Sequence, residues 1–398
     1  MAGGVKALKS GLLLPAYVRL VNPEALEQDH IPSQVVYRDK QLKVFLDEFK
    51  VMKAGFPPPR LIAYGPVGSG KTVTTRKALT DVGVEHVYVK AEPTAYGTLV
   101  ALGEAVLKKR KWGLSFAPLW GDIEAALPKQ CIIVIDEAER FAFRDERRDE
   151  LLYYLSRTRD LGTVLITNRY DVMRSVVDAR VLSSFSAQAV YFTPYSANEL
   201  TAIVRERVKE ALDDPSAVEG GALNLIAAYA AGRGGDARYA LDLLRAAIKH
   251  AVVNGLDEVT PHVVEEAKQD LERESLSSML TSLSPTHKVM LLALHQATTI
   301  GELYTLYNRL APTYLLEPLK ERRLREIFLD LQIAGLVETT RKGAKWLVKP
   351  APWLPPEFLE KLKWGYLRQV ISLTNSTTHN TPSFFFKKKK KRVTDLSS

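Results

Sequence analysis

Gly65-Pro66-Val67-Gly68-Ser69-Gly70-Lys71-Thr72 follows the apolar run Leu61-Ile62-Ala63-Tyr64 and precedes a helical pattern from Val73 to Leu79. Strand, glycine loop and helix in that order give the pattern G-x-x-x-x-G-K-[ST] its structural context. Glycines let successive backbone N–H groups curl around a phosphate, and the helix points its positive end at the same place. Lys71 adds a full positive charge between the β- and γ-phosphates, and Thr72 offers a hydroxyl to Mg²⁺. The stretch implies a nucleoside triphosphate site and a parallel α/β sheet around it.

The rest of such a pocket is sought downstream. Cys131-Ile132-Ile133-Val134-Ile135 is a continuous, mostly β-branched run, as expected of a parallel strand buried on both faces. It ends in Asp136-Glu137. Asp136 is placed to hold Mg²⁺ and Glu137 to polarise an attacking water. A buried strand can also end in an acid with no catalytic role; the phosphate loop upstream favours the chemical reading. A second apolar run, Thr163-Val164-Leu165-Ile166-Thr167, ends at Asn168, whose amide is suited either to orienting water near the γ-phosphate or to satisfying a loop.

Strands alternate with helical patterns up to Tyr191-Phe192, which predicts a parallel sheet with crossover helices. Beyond Pro194 the periodicity is helical throughout. Ser196-Ala197-Asn198-Glu199 reads as a capping box, with Leu200, Ile203, Val204 and Val208 on one face of the helix it opens. Gly232–Gly235 ends a second helix, Asp236 caps a third, and Thr260-Pro261 starts a fourth. Arg238 falls in the first turn of the third helix, where the helix dipole repels a cation. That broken rule suggests a reach toward the γ-phosphate; a solvated surface arginine is the alternative.

From Ser284 the pattern changes again. Three helical segments end at Gly335, the third carrying Lys320, Arg322, Arg323 and Arg325 on its first turns. Leu336–Thr340 and Lys345–Val348 then form a hairpin whose turn holds Arg341, Lys342 and Gly343. Three helices and a basic-tipped hairpin predict a winged helix-turn-helix. The basic residues favour nucleic acid over the protein contacts that winged helices also make.

The chain has 398 residues, enough for two or three domains with their own cores. Its single cysteine, Cys131, excludes intramolecular disulfides and cysteine-rich metal centres and fits a reducing compartment. No apolar stretch approaches the roughly 18 residues of a membrane span. Leu12-Leu13-Leu14 is too short for a signal-peptide core. A cytoplasmic, nucleoid-associated protein without membrane partners is expected. Six of the nine net positive charges sit in Lys387–Arg392, so global charge says little about nucleic acid and local clustering must carry that argument.

These motifs together resemble the archaeal origin-recognition (Orc/Cdc-type) replication initiators, AAA+ ATPases with a C-terminal winged helix. The resemblance runs from about Asp29 to Lys349. In the nucleotide-binding half it is carried by Ile31-Pro32, Tyr37-Arg38-Asp39, the phosphate loop, Ile135-Asp136-Glu137, Asp178–Ser184, Thr193-Pro194-Tyr195 and Gly235–Arg238. Gly301–Tyr304 and Glu317-Pro318-Leu319 carry it in the winged helix. It implies Asn168 as first sensor, Arg238 as second, Arg180 as arginine finger, and Tyr195 and Arg207 beside the nucleotide. Val36, Tyr37 and Arg38 would border adenine.

The resemblance further implies that Ala138 to Arg157 is an initiator-specific helical insertion giving a second DNA contact through Arg144, Arg147 and Arg148. It implies ATP/ADP and Mg²⁺ as cofactors, slow switch-like hydrolysis, and double-stranded origin DNA, a replicative helicase and paralogous initiators as partners. The domains expected are an N-terminal segment (1–28), a nucleotide-binding core (29–195), a helical lid (196–276), a winged helix (284–350), a C-terminal helix (351–371) and a disordered basic tail (372–398). Two departures stand out. Val67 replaces the usual threonine of the loop, and Ser183-Ser184 lacks a second arginine found in some relatives. A clamp-loader subunit, which would end in a helical collar, and a signalling NTPase regulated by partner proteins are the competing readings.

Overall fold

The computed structural model describes residues 18–109, 113–145, 147–170, 178, 180–181, 185, 187–343, 345–351 and 354. The expected C-terminal helix (351–371) and basic tail (372–398) lie almost wholly outside them. The chain divides into two compact units, Met1–Leu271 and Glu272–Ser398.

The first unit begins with a single 3₁₀ turn, Pro23–Leu26. Next come α1 (Asp39–Lys53), β1 (Arg60–Tyr64), α2 (Lys71–Val82) and β2 (His86–Lys90). They are followed by α3 (Ala95–Leu107), α4 (Phe116–Ala126), β3 (Cys131–Asp136), α5 (Glu139–Arg144), α6 (Arg148–Arg157), β4 (Leu161–Thr167) and β5 (Gln188–Tyr191). The five strands form one parallel sheet in the order β2-β3-β4-β1-β5. β3 and β4 are buried at every residue, which explains their lack of polar alternation.

Period-two geometry sorts β3 between two layers. Cys131, Ile133 and Ile135 face the core of α3, α4 and α6, with Leu99, Trp120 and Leu155. Ile132 and Val134 face α1 and α2, with Phe45, Phe49 and Leu79. Asp136 continues that second set, so its carboxylate emerges on the side that carries α2 and the phosphate loop.

Residues 139–144 and 148–157 are helical, as expected of this segment. Neighbouring parallel strands β3 and β4 need a crossover, and α5 with α6 supply it. Leu151, Leu152 and Leu155 are committed to the core. The connection between β2 and β3 is likewise built from two helices, α3 and α4.

The lid comprises α7 (Ala197–Ala211), α8 (Gly220–Gly232), α9 (Ala237–Asn254) and the first part of α10 (Pro261–Ser282). Ser196 and Glu199 form the complete capping box, and Asp236 accepts the Arg238 N–H. The described part of the N-terminal segment, residues 18–28, packs on the lid: Val18, Ala25 and Leu26 are buried in its core. Three scattered apolar residues give no periodic signal, which is why the sequence reads there as irregular. The phosphate helix also starts earlier than Val73, at Lys71 itself.

The second unit holds the rest of α10, α11 (Pro285–Leu294), α12 (Ile300–Leu310), α13 (Glu321–Ile333) and the antiparallel hairpin β6 (Val337–Lys342) and β7 (Lys345–Pro350). Thr299 and Glu302 form a second capping box. Met290, Leu303, Tyr307, Leu324, Ile327, Phe328, Leu331 and Val348 make one core. A Thr299–Leu347 bridge lays the start of α12 against the hairpin. This is the winged-helix arrangement.

Candidate functional site

Gly65, Gly68 and Gly70 all adopt positive φ, giving a loop that L-side chains resist. Space forbids them too. A Cβ at Gly68 would strike the Asp236 side chain, and one at Gly70 the Tyr195 hydroxyl. The loop is therefore gripped by the lid, whose Ala237 N–H also donates to the Gly68 carbonyl at 3.2 Å.

Lys71 is buried. Its ammonium donates to the carbonyls of Gly65 (2.8 Å) and Pro66 (2.7 Å) and to Asn168 Oδ1 (2.9 Å). Burial lowers its pKa to about 8, helped by the nearby Arg238 charge and opposed by Asp136, Glu139 and Asp236. The Asn168 amide in turn donates to Glu139 Oε1 at 2.7 Å. Asn168 thus presents its oxygen to the lysine and its nitrogen to the protein.

Thr72 donates to Asp136 Oδ2 at 2.8 Å, and Glu137 N–H donates to Oδ1 at 2.8 Å. Tyr88 OH is a second donor to Oδ2, at 2.5 Å. Glu137 is held in the left-handed region (φ 57°), an unfavourable conformation for a non-glycine residue. Its carboxylate lies 3.5 Å from Arg140 and 3.9 Å from Lys90.

One cavity brings together Val36, Gly68, Ser69, Gly70, Lys71, Thr72, Val73, Asp136, Glu137, Tyr195, Arg207 and Arg238. Asn168 reaches it through Lys71. Gly65, Pro66, Val67, Tyr37 and Arg38 are not among its lining residues. Tyr37 is exposed, whereas Arg38 is buried. The Arg38 guanidinium donates to the Ser69 and Thr193 carbonyls (3.0 and 2.7 Å) and stacks 3.7 Å from the Tyr195 ring centroid. Arg38 therefore supports the loop from behind. Arg207 lines the wall but spends its guanidinium on the carbonyls of Ala25 and His30 (3.2 and 3.1 Å). Arg180 is outside the cavity, with its side chain 93% exposed and Asp178 3.4 Å away.

Tyr88, Glu139 and Asp236 are site residues that the sequence reading did not assign to the site. Tyr88 and Glu139 lie one strand and one turn from the recognised acids, and only the sheet register (Tyr88 beside Val134) exposes the first.

The site fits a nucleotide and a hard cation. The loop leaves a side-chain-free cradle at a helix N-terminus, and Thr72 with Asp136 supplies only oxygen donors.

In the winged helix, Arg322, Arg323 and Arg325 project from α13, but each is paired within the helix. Arg322 and Arg323 reach Glu326 (3.5 and 2.7 Å), and Arg325 reaches Glu321 (3.6 Å). Arg341 stacks over Trp346, 5.9 Å from its centroid. Gly343, at φ 62°, turns the wing in open space between Lys342 and Lys345. In α6, Arg147 pairs with Glu150 (2.8 Å) and lies 5.1 Å from the Phe116 ring, and Arg148 donates to the Asp145 carbonyl. Arg144 ends α5; its side chain is outside the described residues.

Two family descriptions match: an AAA domain over residues 58–174 and a Cdc6 AAA+ ATPase-type lid domain over 201–269. An ORC1-type DNA replication protein of Methanothermobacter thermautotrophicus is 33% identical over 355 residues, covering 85% of this chain and 95% of that protein. The chain belongs to the archaeal ORC1-type DNA replication proteins. As a family member it is a AAA+ ATPase. A second relative, ORC1-type protein 1 of Sulfurisphaera tokodaii, is 31% identical over 79% of this chain and 85% of its own. Among solved structures, the Aeropyrum pernix ORC1 protein in complex with DNA matches at a TM-score of 0.80 with 27% identity, covering 88% of this chain and 98% of that one. Cdc6p of Pyrobaculum aerophilum shares the fold at a TM-score of 0.56 and 19% identity, covering 88% and 99%. Among the described residues no helix is long and apolar enough to cross a membrane.

Proposed function

We propose that this ORC1-type chain is an ATP-regulated, origin-binding initiator whose nucleotide site acts as a slow switch and which promotes helicase loading. The observation that carries the reading is one cavity joining Lys71, Thr72, Asp136, Glu137 and Arg238, in a chain that also bears a winged helix with a basic tip. Lys71 and the loop amides hold the phosphates of ATP or ADP. Thr72 and Asp136 hold Mg²⁺, which supplies charge neutralisation at the phosphates when bound. Glu137 accepts a proton from the attacking water, with Lys90 and Arg140 restraining its carboxylate. Asn168, anchored by Glu139, keeps the lysine aimed, and Arg238 brings a lid cation to the γ-phosphate. Arg180 acts on a neighbouring subunit, and paralogous initiators are candidates for that neighbour.

Duplex DNA is held by α13 and the wing, through Lys320, Arg322, Arg323, Arg325, Arg341, Lys342, Gly343 and Lys345. For a second contact, Arg147 and Arg148 at the start of α6 and the turn after α3 are the candidates. Lys108 and Lys109 lie at that turn. The test is footprinting on the host's origin-proximal duplex. The full chain should protect a discrete site in a nucleotide-dependent manner, and a chain ending before Ser284 should not. Protection that survives the truncation undiminished would sink the assignment to the winged helix.

A further inference from the structure

We infer that Tyr88 is a positioning residue for the metal-bearing carboxylate, fixing Asp136 through its phenol O–H. The inference rests on the Mg²⁺ reading of Thr72 and Asp136 above. Tyr88 and Asp136 lie on adjacent parallel strands, Tyr88 beside Val134 and Lys90 beside Asp136. Strand alternation therefore places both side chains on one face, a single pleat apart. The phenol donates to Asp136 Oδ2 at 2.5 Å, while Oδ1 accepts the Glu137 N–H at 2.8 Å. The carboxylate is thus pinned at both ends, and its plane is set before any cation arrives. Thr72 gives its proton to the same Oδ2 and keeps its lone pairs for a metal.

Two further observations separate this from an incidental contact. Tyr88 lines the cavity with Thr72, Asp136 and Glu137. Its ring is also held by the Arg76 guanidinium 4.8 Å away, which fixes the hydroxyl's direction. Donors that orient ligating carboxylates are typically worth about 10–100-fold in metal affinity.

Calorimetric titration of the full chain with ATP, in EDTA and at stepped free Mg²⁺, reads this out without hydrolysis. Tyr88→Phe should bind ATP in EDTA as the wild type does, which also reports an intact fold. It should need about tenfold more Mg²⁺ for half of the metal-dependent gain in affinity. Tyr88→Leu, which also removes the ring beneath Arg76, should show the same factor, since the loss the two variants share is that of the hydroxyl donor. A Mg²⁺ curve for Tyr88→Phe that superimposes on the wild type overturns the inference, as does a shift confined to Tyr88→Leu. Wild-type affinity indifferent to Mg²⁺ would instead remove the metal reading on which it rests.

Discussion

Lys71 is a buried cation whose partners are two carbonyls, an amide oxygen and, at 3.4 Å, the Ser69 hydroxyl, and burial lowers its pKa to about 8. The folded value lies below the ordinary 10.5, so the sign is clear. Below about pH 8 the lysine is charged in both folded and unfolded chains, and the fold carries the whole desolvation cost. Between about 8 and 10.5 the unfolded chain binds more protons, and stability rises with pH. Lys71→Met should therefore melt relatively higher than the wild type at pH 7 without nucleotide, and lose that advantage by about pH 10.5. Thermal melts across that range check it; a pH-independent difference would detach the effect from this ammonium. The same variant should lose ATP and ADP binding, because the loop's charge is gone where phosphate charge is greatest. Glu137→Gln should bind as before and stop turnover, and equal loss of binding in both would show the roles misassigned. Lys71, Thr72, Asp136 and Glu137 were legible because their spacing is tied to a strand end and a helix start. The guanidinium partners of Arg38 and Arg207 were not legible: whether an arginine spends its guanidinium on carbonyls depends on chain segments that sequence proximity does not connect.

Among the elements, β3, β4, α7 and α9 were legible from apolar runs and capping residues, since each signal is local. The crossover topology was not. Helices α3 to α6 look alike as periodic segments, and only the strand order shows that α3 with α4 and α5 with α6 each bridge a pair of neighbouring parallel strands. The winged helix was legible from its hairpin and caps; the intrahelical pairing of its arginines was not. That pairing bears on DNA affinity. If about four of the proposed cations meet phosphates, the log–log salt slope of duplex binding should be about −3.6. Arg341→Ala with Lys342→Ala should flatten it by about two and weaken all sequences alike. Glu326→Gln frees Arg322 and Arg323 and should tighten binding, without flattening the slope. Fluorescence anisotropy between low and moderate salt measures both, and an unchanged slope in the double variant would remove the wing from the interface.

For the molecule as a whole, the two units carry separate cores, one continuous from Leu276 to Leu354 and the others confined to residues before 271. The composition shift near Ser284 made that division readable. In the proposed mechanism the nucleotide site, by contrast, is completed by a second chain. Lys71 and Arg238 line its cavity, whereas Arg180 stands almost fully exposed with Asp178 beside it, outside the cavity. Asp178 holds the guanidinium at the surface, and its own carboxyl is lowered by hydrogen bonds from the Arg180 backbone and side chain. An arginine so placed contributes to hydrolysis only by entering another subunit's site, where such a residue typically supplies about 10³–10⁵ in rate. Arg180→Ala should then retain nucleotide binding and lose turnover, as Glu137→Gln does, but for the opposite reason. An Arg180→Ala subunit keeps its base and lacks a finger to give; a Glu137→Gln subunit keeps its finger and lacks a base. Mixed on origin DNA, the two inactive variants should recover hydrolysis, with a maximum near equal ratio, because Glu137→Gln subunits lend Arg180 to sites that retain Glu137. Activity that stays absent at every ratio would place the action of Arg180 within its own chain or nowhere in catalysis.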